Sequence, residues 1–357
     1  MKYLIIGGVA GGATVAARLR RMDEKAEIIL FEKGEYVSYA NCGLPYYIGN
    51  IIPEREQLFV QTAQGITSRY EIDIRLKSEV LSIDRVAKRV EAKDLSSGEI
   101  YSESYDKLVM SPGAEPLKPP VPGINNKCIF TLRNVPDTDR IKEYIKSNSV
   151  RSAIVVGGGF IGLEMAENLR HLGIKVDLVE MAPQVMSHLD FSMASIVHLE
   201  LKAKGVRLHL GKSVEEFKTS GAYVEAVLKG EKSIFADMVI WSIGVKPDSS
   251  LAKAAGLELG STGGIKVNQF LQTSDPNIYA LGDAVEVTHL VSGRPALIPL
   301  AGPANKMGRI AADNMILGNV STYTGSIGTG IAKVFDLTVA SAGMSGRAGK
   351  SSSIQPL

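Results

Sequence analysis

Cysteine is scarce in this sequence, which has only Cys42 and Cys128 among its 357 residues. Two cysteines cannot form the disulfide framework of a small secreted domain, so an oxidising compartment is not implied. The chain also lacks a run of about 20 apolar residues, which a transmembrane helix would need. The apolar part of the N-terminal "MKYLIIGG" is too short for a secretory signal peptide. We therefore expect a cytoplasmic protein.

Charge of one sign is lacking as well, because 40 Lys and Arg stand against 38 Asp and Glu, a net charge of +2. This balance gives no reason to expect nucleic acid or a strongly acidic partner. No metal-ligand spacing occurs among the five histidines, so we predict no metal site. Glycine is abundant instead, with 36 residues against a typical share of about 7%. Many of these glycines follow directly after apolar runs.

The first forty residues predict a strand, a glycine turn, a helix and a second strand. "KYLIIGG" is a β-branched run closed by glycine, and "ATVAARLRRMD" contains helix formers and ends in basic residues. The turn "GGVAGG" places Gly7 and Gly12 at the outer positions of the dinucleotide fingerprint, but Val9 departs from it at the middle position. Glu32 ends the second strand 20 residues after Gly12, where a ribose-binding acid is expected. Taken alone, this segment also fits a glycine-rich turn in another α/β protein.

The same pattern recurs from residue 151, in "SAIVVGGG", "FIGLEMAENLRHLG" and "KVDLVEM". Gly157, Gly159 and Gly162 match the full fingerprint, whose glycines let backbone N–H groups approach a pyrophosphate at a helix N-terminus. Glu180 lies 18 residues after Gly162 and has no arginine nearby. A carboxylate there would repel a 2′-phosphate, which favours NADH over NADPH. Two such segments about 150 residues apart suggest two nucleotide-binding domains.

Two Pro- or Gly-containing stretches predict crossings between domains, at residues 111–123 and 241–248. The strand in "NIYALGDA" then ends at Asp283, and "GPANKMGRIAADNMILG" predicts a helix. By itself Asp283 fits an N-cap equally well. Near the end of the chain, "TGIAKVFDLTVASAGM" predicts two strands, and "SGRAGKSSSIQPL" shows no period or core. About 30 residues cannot build a domain alone.

In this order, the three segments resemble the FAD-dependent pyridine nucleotide–disulfide oxidoreductase family, from Met1 to about Gly343. The resemblance implies a glutathione reductase-like α/β fold with two Rossmann-type domains. An NAD(P)H-binding domain at 114–244 would be inserted in an FAD-binding domain at 1–113 and 245–322. Residues 323–357 would be the remnant of a C-terminal dimerisation domain. The family is homodimeric, so we expect this chain to lack most of the dimer domain, as a fragment or by loss.

The resemblance also implies which residues hold the cofactors FAD and NADH. The first turn would hold FAD, the second NAD(P)H, and the Gly-Asp acid the flavin ribityl chain. The residues implied in cofactor binding are Gly7, Gly8, Val9, Ala10, Gly11, Gly12, Glu32, Lys33, Ser111, Gly113, Gly157, Gly159, Gly162, Glu164, Glu180, Gly244, Gly282, Asp283 and Ala301.

Cys42 lies in "VSYANCGLPYYIG" and has no second cysteine beside it. Family members that reduce glutathione or lipoamide carry Cys-x-x-x-x-Cys, whereas Tyr47 stands at the second position here. Among single-cysteine members, this segment and "LIPLAGPANKMGRIAA" look closest to coenzyme A disulfide and persulfide reductases. We predict that Cys42 is redox-active and that Pro45 helps to start a helix that lowers the thiol pKa. The alternative for Cys42 is a small buried hydrophobic residue, which is also the prediction for Cys128.

A coenzyme A substrate carries phosphates, which need guanidinium or ammonium partners. Arg18 and Arg21 are three residues apart on the first predicted helix and so share a face with Thr14, one turn earlier. By resemblance, these three residues with Ser38 and Asn41 would contact coenzyme A. Arginine at a helix C-terminus also needs no ligand, so the structural alternative stays open.

We therefore predict an NAD(P)H-dependent flavoprotein that reduces coenzyme A disulfide, or a related disulfide or persulfide, through FAD and Cys42. One alternative is an NADH oxidase or peroxidase that cycles Cys42 through sulfenic acid. Another is a truncated, weakly active flavin-binding redox protein.

Overall fold

The computed structural model describes residues 1–221 and 223–346. The chain forms two compact units. Unit 1 consists of Met1–Tyr39, Phe59–Glu115 and Lys246–Gly328, and unit 2 of Ala40–Leu58, Pro116–Val245 and the chain from Thr329 onward. Most of the predicted patternless tail lies outside the described residues. The predicted domain limits and their cofactor assignments stay a prediction.

Eight α-helices occur in the described residues. They are α1 (Gly11–Met22), α2 (Leu44–Ile48), α3 (Ala63–Tyr70), α4 (Val135–Ser147), α5 (Phe160–His171), α6 (Phe191–Ala203), α7 (Ser250–Ala254) and α8 (Ala301–Leu317). None of these helices is long and apolar enough to cross a membrane.

The described residues also form 23 strands. They are β1 (Lys2–Ile6), β2 (Glu27–Phe31), β3 (Asp73–Arg75), β4 (Ser78–Asp84), β5 (Arg89–Asp94), β6 (Ile100–Ser104), β7 (Lys107–Met110), β8 (Ala114–Pro116), β9 (Ile129–Phe130), β10 (Ser152–Val156), β11 (Lys175–Glu180), β12 (Val206–Leu210), β13 (Val214–Ser220), β14 (Tyr223–Leu228), β15 (Ile234–Ala236), β16 (Met238–Trp241), β17 (Val245–Pro247), β18 (Ile265–Lys266), β19 (Ile278–Ala280), β20 (Val285–Thr288), β21 (Pro295–Ala296), β22 (Gly330–Val334) and β23 (Leu337–Ser341).

Unit 1 is built on a five-stranded parallel sheet in the order β19-β7-β1-β2-β3. Tyr3–Ile6 of β1 are buried and mostly apolar, as expected in a parallel sheet, whose strands are covered on both faces. Helix α1 follows β1 after a short glycine turn and packs against α8. Two three-stranded sheets, β4-β5-β6 and β18-β20-β21, complete the unit. The core of unit 1 includes Leu4, Ile5, Val15, Leu19 and Leu30, all fully buried.

Unit 2 repeats the plan with a parallel sheet in the order β12-β11-β10-β16-β9. Helix α5 follows β10 after the second glycine turn. The antiparallel sheet β13-β14-β15 and the hairpin β22-β23 belong to the same unit. Helix α2 packs against α4 and α5, so the segment at Ala40–Leu58 is part of this unit.

The strands and helices predicted from the two glycine-turn segments are confirmed, as are the strand before Asp283, the helix after it and the β22-β23 pair.

Candidate functional site

The first glycine turn connects β1 to α1 with no room for side chains at two positions. A Cβ on Gly7, whose φ is +94°, would lie 2.1 Å from the Ser111 carbonyl oxygen. A Cβ on Gly12 would lie 1.8 Å from the Gly7 carbonyl oxygen. Among the described residues, no side chain caps α1, and its first turn contains no acid. The first N–H groups of α1 therefore suit an anionic ligand.

Glu32 is held at this turn by both of its carboxylate oxygens. Oε2 accepts from the Gly8 N–H at 2.8 Å, and Oε1 accepts from the Gly34 N–H at 2.7 Å. The predicted neighbour Lys33 forms an ion pair with Glu79 at 2.7 Å. The acid predicted to bind a ribose thus lies directly on the glycine turn.

The carboxyl ends of β7 and β19 meet the same turn. Cβ atoms built on Gly11 and Gly282 would lie 2.7 and 3.4 Å from the Ser111 hydroxyl. Asp283 is half-buried in the 3₁₀ turn that follows β19, and α8 begins at Ala301. Ligands of open parallel sheets bind at this edge.

The remaining predicted residues of unit 1 flank this edge. Val9 and Ala10 are half-buried in the turn itself. Gly113 has a φ of +82°, and its carbonyl accepts from the Asp248 N–H at 3.0 Å. The residues predicted to hold FAD, within 1–113 and 245–322, therefore all belong to unit 1.

The second glycine turn has the same construction. A Cβ on Gly157 (φ +109°) would lie 2.3 Å from the Ser242 carbonyl oxygen, and a Cβ on Gly162 would lie 1.9 Å from the Gly157 carbonyl oxygen. A Cβ on Gly159 would meet no heavy atom of the described residues within 4 Å. Helix α5 also begins without a side-chain cap or an acid in its first turn. Backbone donors next to open space fit a pyrophosphate.

Glu180 matches Glu32 in its contacts. Its Oε2 accepts from the Gly158 N–H at 2.6 Å and its Oε1 from the Ala182 N–H at 2.7 Å. Gly244 has a φ of +123°, and its carbonyl accepts from the Leu117 N–H at 2.9 Å. Each turn combines the N–H donors of an uncapped helix start with a carboxylate acceptor, and this combination fits one nucleotide in each unit.

Cys42 is exposed in unit 2, in the 3₁₀ turn Asn41–Gly43 just before α2. Pro45 lies in the first turn of α2, as predicted. Cys128 is buried, as predicted, and burial raises the pKa of its thiol. The exposure of Cys42 contradicts its alternative interpretation as a small buried hydrophobic residue. It is the one thiol of the chain that a small molecule can reach.

The segment Ala40–Leu58, which contains α2, is fixed to α4 by a lysine and an arginine. The Lys142 ammonium donates to the Tyr47 carbonyl and to Asn50 Oδ1, both at 2.8 Å, and lies 3.7 Å from the centre of the Tyr47 ring. Burial lowers the pKa of Lys142. Arg55 pairs with Asp139 at 2.7 Å. The cysteine segment is therefore held at defined points.

A titratable pair lies where α2 packs on α5. Tyr46 of α2 and Glu164 of α5 are close enough for each to shift the pKa of the other. Burial and then the nearby Glu164 and Glu167 charges raise the pKa of Tyr46 to about 12. Burial and the Glu167 charge raise the pKa of Glu164 to about 7. Sequence reasoning missed Tyr46, although its spacing of four residues from Cys42 in a helical stretch was an available signal.

The residues predicted to contact coenzyme A are divided between the units. Thr14, Arg18, Arg21 and Ser38 belong to unit 1, and Asn41 belongs to unit 2.

In unit 1, two of these side chains already have partners on α8. The Thr14 hydroxyl donates to Asn305 Oδ1 at 2.9 Å, and Arg18 pairs with Asp313 at 2.8 Å. Arg21 is exposed and pairs with no acid of the described chain. Arg21 is thus the more available cation for a phosphate.

In the cysteine segment, Ser38 has a φ of +49°, and its N–H donates to the Gly8 carbonyl at 3.0 Å. Asn41 is exposed at the start of the 3₁₀ turn.

Comparison with known proteins gives consistent results. Residues 1–304 match the family described as pyridine nucleotide-disulphide oxidoreductase. The coenzyme A disulfide reductase of Staphylococcus haemolyticus (strain JCSC1435) is 35% identical over 343 residues, which is 96% of this chain and 76% of that protein.

Two solved structures are also similar. Reduced Bacillus anthracis CoADR-RHD has a TM-score of 0.96 and 53% identity over 99% of this chain and 63% of that one. An NAD-dependent persulfide reductase from A. fulgidus has a TM-score of 0.95 and 39% identity over 99% of this chain and 66% of that one. The chain thus spans slightly less than two thirds of these two structures.

These similarities confirm several predictions at the level of the family. They confirm the single-cysteine resemblance, the α/β fold class with Rossmann-type domains, and the cofactors FAD and a nicotinamide nucleotide, with NADH favoured. They also confirm a flavoprotein oxidoreductase that acts on sulfur.

Proposed function

Because the chain belongs to the pyridine nucleotide-disulphide oxidoreductase family, we propose that it uses NADH to reduce coenzyme A disulfide or a closely related small disulfide or persulfide. The exposed thiol of Cys42 is the observation that carries this proposal, because it is the reachable thiol and no second cysteine stands beside it in the sequence. FAD, when bound, supplies transfer of two electrons from NADH to sulfur. In this proposal the first glycine turn and Glu32 hold FAD, and the second turn and Glu180 hold NADH.

The chain's own residues perform the sulfur chemistry. The Cys42 thiolate attacks the substrate disulfide and forms a mixed disulfide, while the other half of the substrate leaves as a thiol. The contacts of Lys142 with Tyr47 hold α2, the helix that follows Cys42, against α4. Arg21 is proposed to bind a substrate phosphate, with Arg18, Thr14, Ser38 and Asn41 as further contacts.

Stopped-flow kinetics test this proposal. The protein loaded with FAD is reduced by NADH and mixed with coenzyme A disulfide, a persulfide, oxygen or peroxide. We expect rapid reoxidation by the disulfide or persulfide. Rapid reoxidation by oxygen or peroxide alone would support the oxidase or peroxidase alternative, and slow reoxidation by every acceptor would support the weakly active redox protein.

Replacement of the thiol separates its role from that of the flavin. Cys42→Ser should abolish disulfide reduction while transfer of electrons from NADH to a dye persists, and Cys128→Ser should leave both reactions unchanged. Disulfide reduction by Cys42→Ser at the original rate would refute the thiol mechanism.

Two further parts of the proposal concern assembly and location. We propose a homodimer, as the family resemblance implies, which light scattering would test. We also propose a cytoplasmic location, because a reducing compartment keeps a reactive thiol free; cell fractionation would test it.

A further inference from the structure

The loop between β11 and α6 supports the second glycine turn of unit 2 at Gly158. The Met186 N–H donates to the Gly158 carbonyl at 2.8 Å, and a Cβ on Gly158 would lie 2.9 Å from Val185 Cγ1. Val185 and Met186 are both buried, and they are called the supporting pair below. The Gly158 N–H donates to Glu180. The turn, the carboxylate and the supporting pair are therefore directly connected.

Unit 1 has the same support behind its own glycine turn. The Ser38 N–H donates to the Gly8 carbonyl at 3.0 Å, and a Cβ on Gly8 would lie 2.6 Å from Val37 Cγ1. In each pair the second residue has a positive φ, +49° for Ser38 and +47° for Met186. This conformation is strained for residues other than glycine, and such strain is concentrated at functional sites. The repetition indicates that the pair serves the nucleotide turn.

In unit 2 a histidine holds the supporting pair. The Val185 N–H donates to Nε2 of His198 on α6 at 3.1 Å, and both residues are buried. Within the described part of unit 1, no histidine is hydrogen-bonded to Val37 or Ser38. The two supports are thus alike in backbone geometry and differ in this one side chain.

The loop also has internal hydrogen bonds that preserve its shape. Gln184, which is buried, donates from Nε2 to the Leu189 carbonyl at 2.9 Å. The Leu189 N–H donates to the Met186 carbonyl at 2.8 Å. The bond from Val185 to His198 connects this preformed loop to α6. A change at His198 is therefore expected to move the loop as a whole.

His198 accepts this bond only as a neutral imidazole. Because Nε2 accepts, the neutral ring carries its proton on Nδ1, whereas an imidazolium has an N–H on both nitrogens and cannot accept. Burial, and then the charge of Lys202, lower the pKa of His198 below its usual value of 6.5. The Phe191 ring packs edge-on to the imidazole, with 6.2 Å between the ring centroids. The neutral form therefore prevails at neutral pH.

We propose that His198 is a positioning residue of the NADH site, whose neutral imidazole holds the supporting pair against the second glycine turn and whose protonation weakens binding of the nucleotide. A protonated Nε2 would meet the Val185 N–H donor to donor. The loop must then leave His198, and the contacts of Val185 and Met186 with Gly158 are lost. Binding of NADH at this turn rests on the proposed function above.

Other titratable groups lie on the elements around His198, since α6 packs against β12 and β22. The charged and titratable groups there are Glu180 on β11, His188 and Asp190 in the loop, Glu200, Lys202 and Lys204 on or next to α6, Arg207 and His209 on β12, and Lys333 on β22. Histidine is the side chain that ordinarily changes its charge between pH 5 and pH 8. His188, in the same loop, is therefore the matched control for His198.

Equilibrium binding of ADP-ribose tests the proposal without turnover. ADP-ribose contains the adenosine and the pyrophosphate of NADH but no nicotinamide, so it cannot reduce FAD. Its Kd is measured by calorimetry on the FAD-loaded protein from pH 8 to pH 5. We expect the wild-type Kd to rise about fivefold or more as the pH falls over this range.

Three variants assign this rise to His198. The amide oxygen in His198→Gln can accept from the Val185 N–H at every pH, so its Kd should stay within about twofold of the wild-type value at pH 8 and lose the rise at pH 5. His198→Leu has no acceptor and should bind weakly at both pH values. His188→Gln should keep the wild-type pH dependence. A full rise in His198→Gln, its loss in His188→Gln, or wild-type binding by His198→Leu at pH 8 would overturn the proposal.

Hydrogen–deuterium exchange gives a result that needs neither a ligand nor a variant. After correction for the intrinsic pH dependence of exchange, protection of residues 182–189 should fall between pH 7 and pH 5. Residues 34–40, which contain the support of the first turn, should keep their protection. Equal behaviour of the two segments would refute the role of His198. If the wild-type protein binds no ADP-ribose at any pH, the assignment of NADH to this turn fails, while the exchange still decides whether His198 holds the loop.

Discussion

A methyl group at Gly159 should weaken NADH binding and leave the fold intact, whereas a methyl group at Gly162 should weaken the fold. An alanine Cβ at 162 would lie 1.9 Å from the Gly157 carbonyl oxygen and 3.0 Å from the Ser242 hydroxyl. The first contact involves backbone, so the strand or helix must move. Overpacking of this kind costs about 1–3 kcal/mol, which corresponds to a fall in Tm of about 2–12 °C for a domain of this size.

Gly159→Ala is the matched variant. Its Cβ meets no heavy atom of the described chain within 4 Å, and φ −84°, ψ −170° is a conformation that alanine adopts. The change should therefore be neutral or stabilise by up to about 1 kcal/mol through the unfolded state. The methyl group would stand where the fingerprint brings the backbone close to the pyrophosphate. A loss of about 1.4 kcal/mol of binding corresponds to a tenfold weaker Kd.

Calorimetric Tm and equilibrium NADH binding measure the two effects separately. The reasoning is refuted if Gly159→Ala unfolds at a clearly lower temperature and binds NADH as the wild type does. It is also refuted if Gly162→Ala is as stable as the wild-type protein.

Three further predictions follow from the site. Glu180→Ala leaves two N–H groups without their acceptor, so we expect a loss of about 1–3 kcal/mol in urea denaturation and a higher Kd for NADH; an unchanged urea midpoint would contradict this. Arg21→Ala should raise KM for coenzyme A disulfide severalfold at constant Tm. Arg18→Ala should mainly lose the ion pair with Asp313, which contributes up to about 1 kcal/mol to the free energy of unfolding. The reverse pattern would exclude Arg21 as the phosphate ligand. The pKa of Glu164 is raised from 4.5 to about 7, so the folded protein holds this proton more tightly than the unfolded chain and loses stability as the pH rises between these values. The free energy of unfolding of Glu164→Gln, relative to that of the wild type, should therefore be about 3 kcal/mol higher at pH 8 than at pH 4. Equal differences at both pH values in urea denaturation would contradict the shift.

The nucleotide turns could be predicted from the sequence because their signals are local. Glycines, apolar strands and the following acid lie within about 30 residues, and each element forms for reasons contained in that segment. The helix start near Pro45 was likewise signalled by neighbouring residues. The order of residues within one short segment is enough to identify a strand, a glycine turn and a helix that bind a nucleotide.

The contacts that tie these modules together could not be predicted in the same way. Arg18 and Asp313 are 295 residues apart, and Lys142 reaches Asn50 across 92 residues. Their pairing depends on which helices pack together, and a single sequence does not specify that. The same holds for Tyr46 and Glu164, because the packing of α2 on α5 brings them together and burial is the main cause of the raised pKa of Glu164.

The two glycine turns can be compared with each other within one chain. Each turn has a carboxylate that accepts two N–H groups, and each has two glycines that cannot carry a Cβ. They differ at one fingerprint position, where Val9 stands in the first turn and Gly159 in the second. Exchange of these two residues would ask, within one polypeptide, how far a single side chain decides which nucleotide a Rossmann turn accepts.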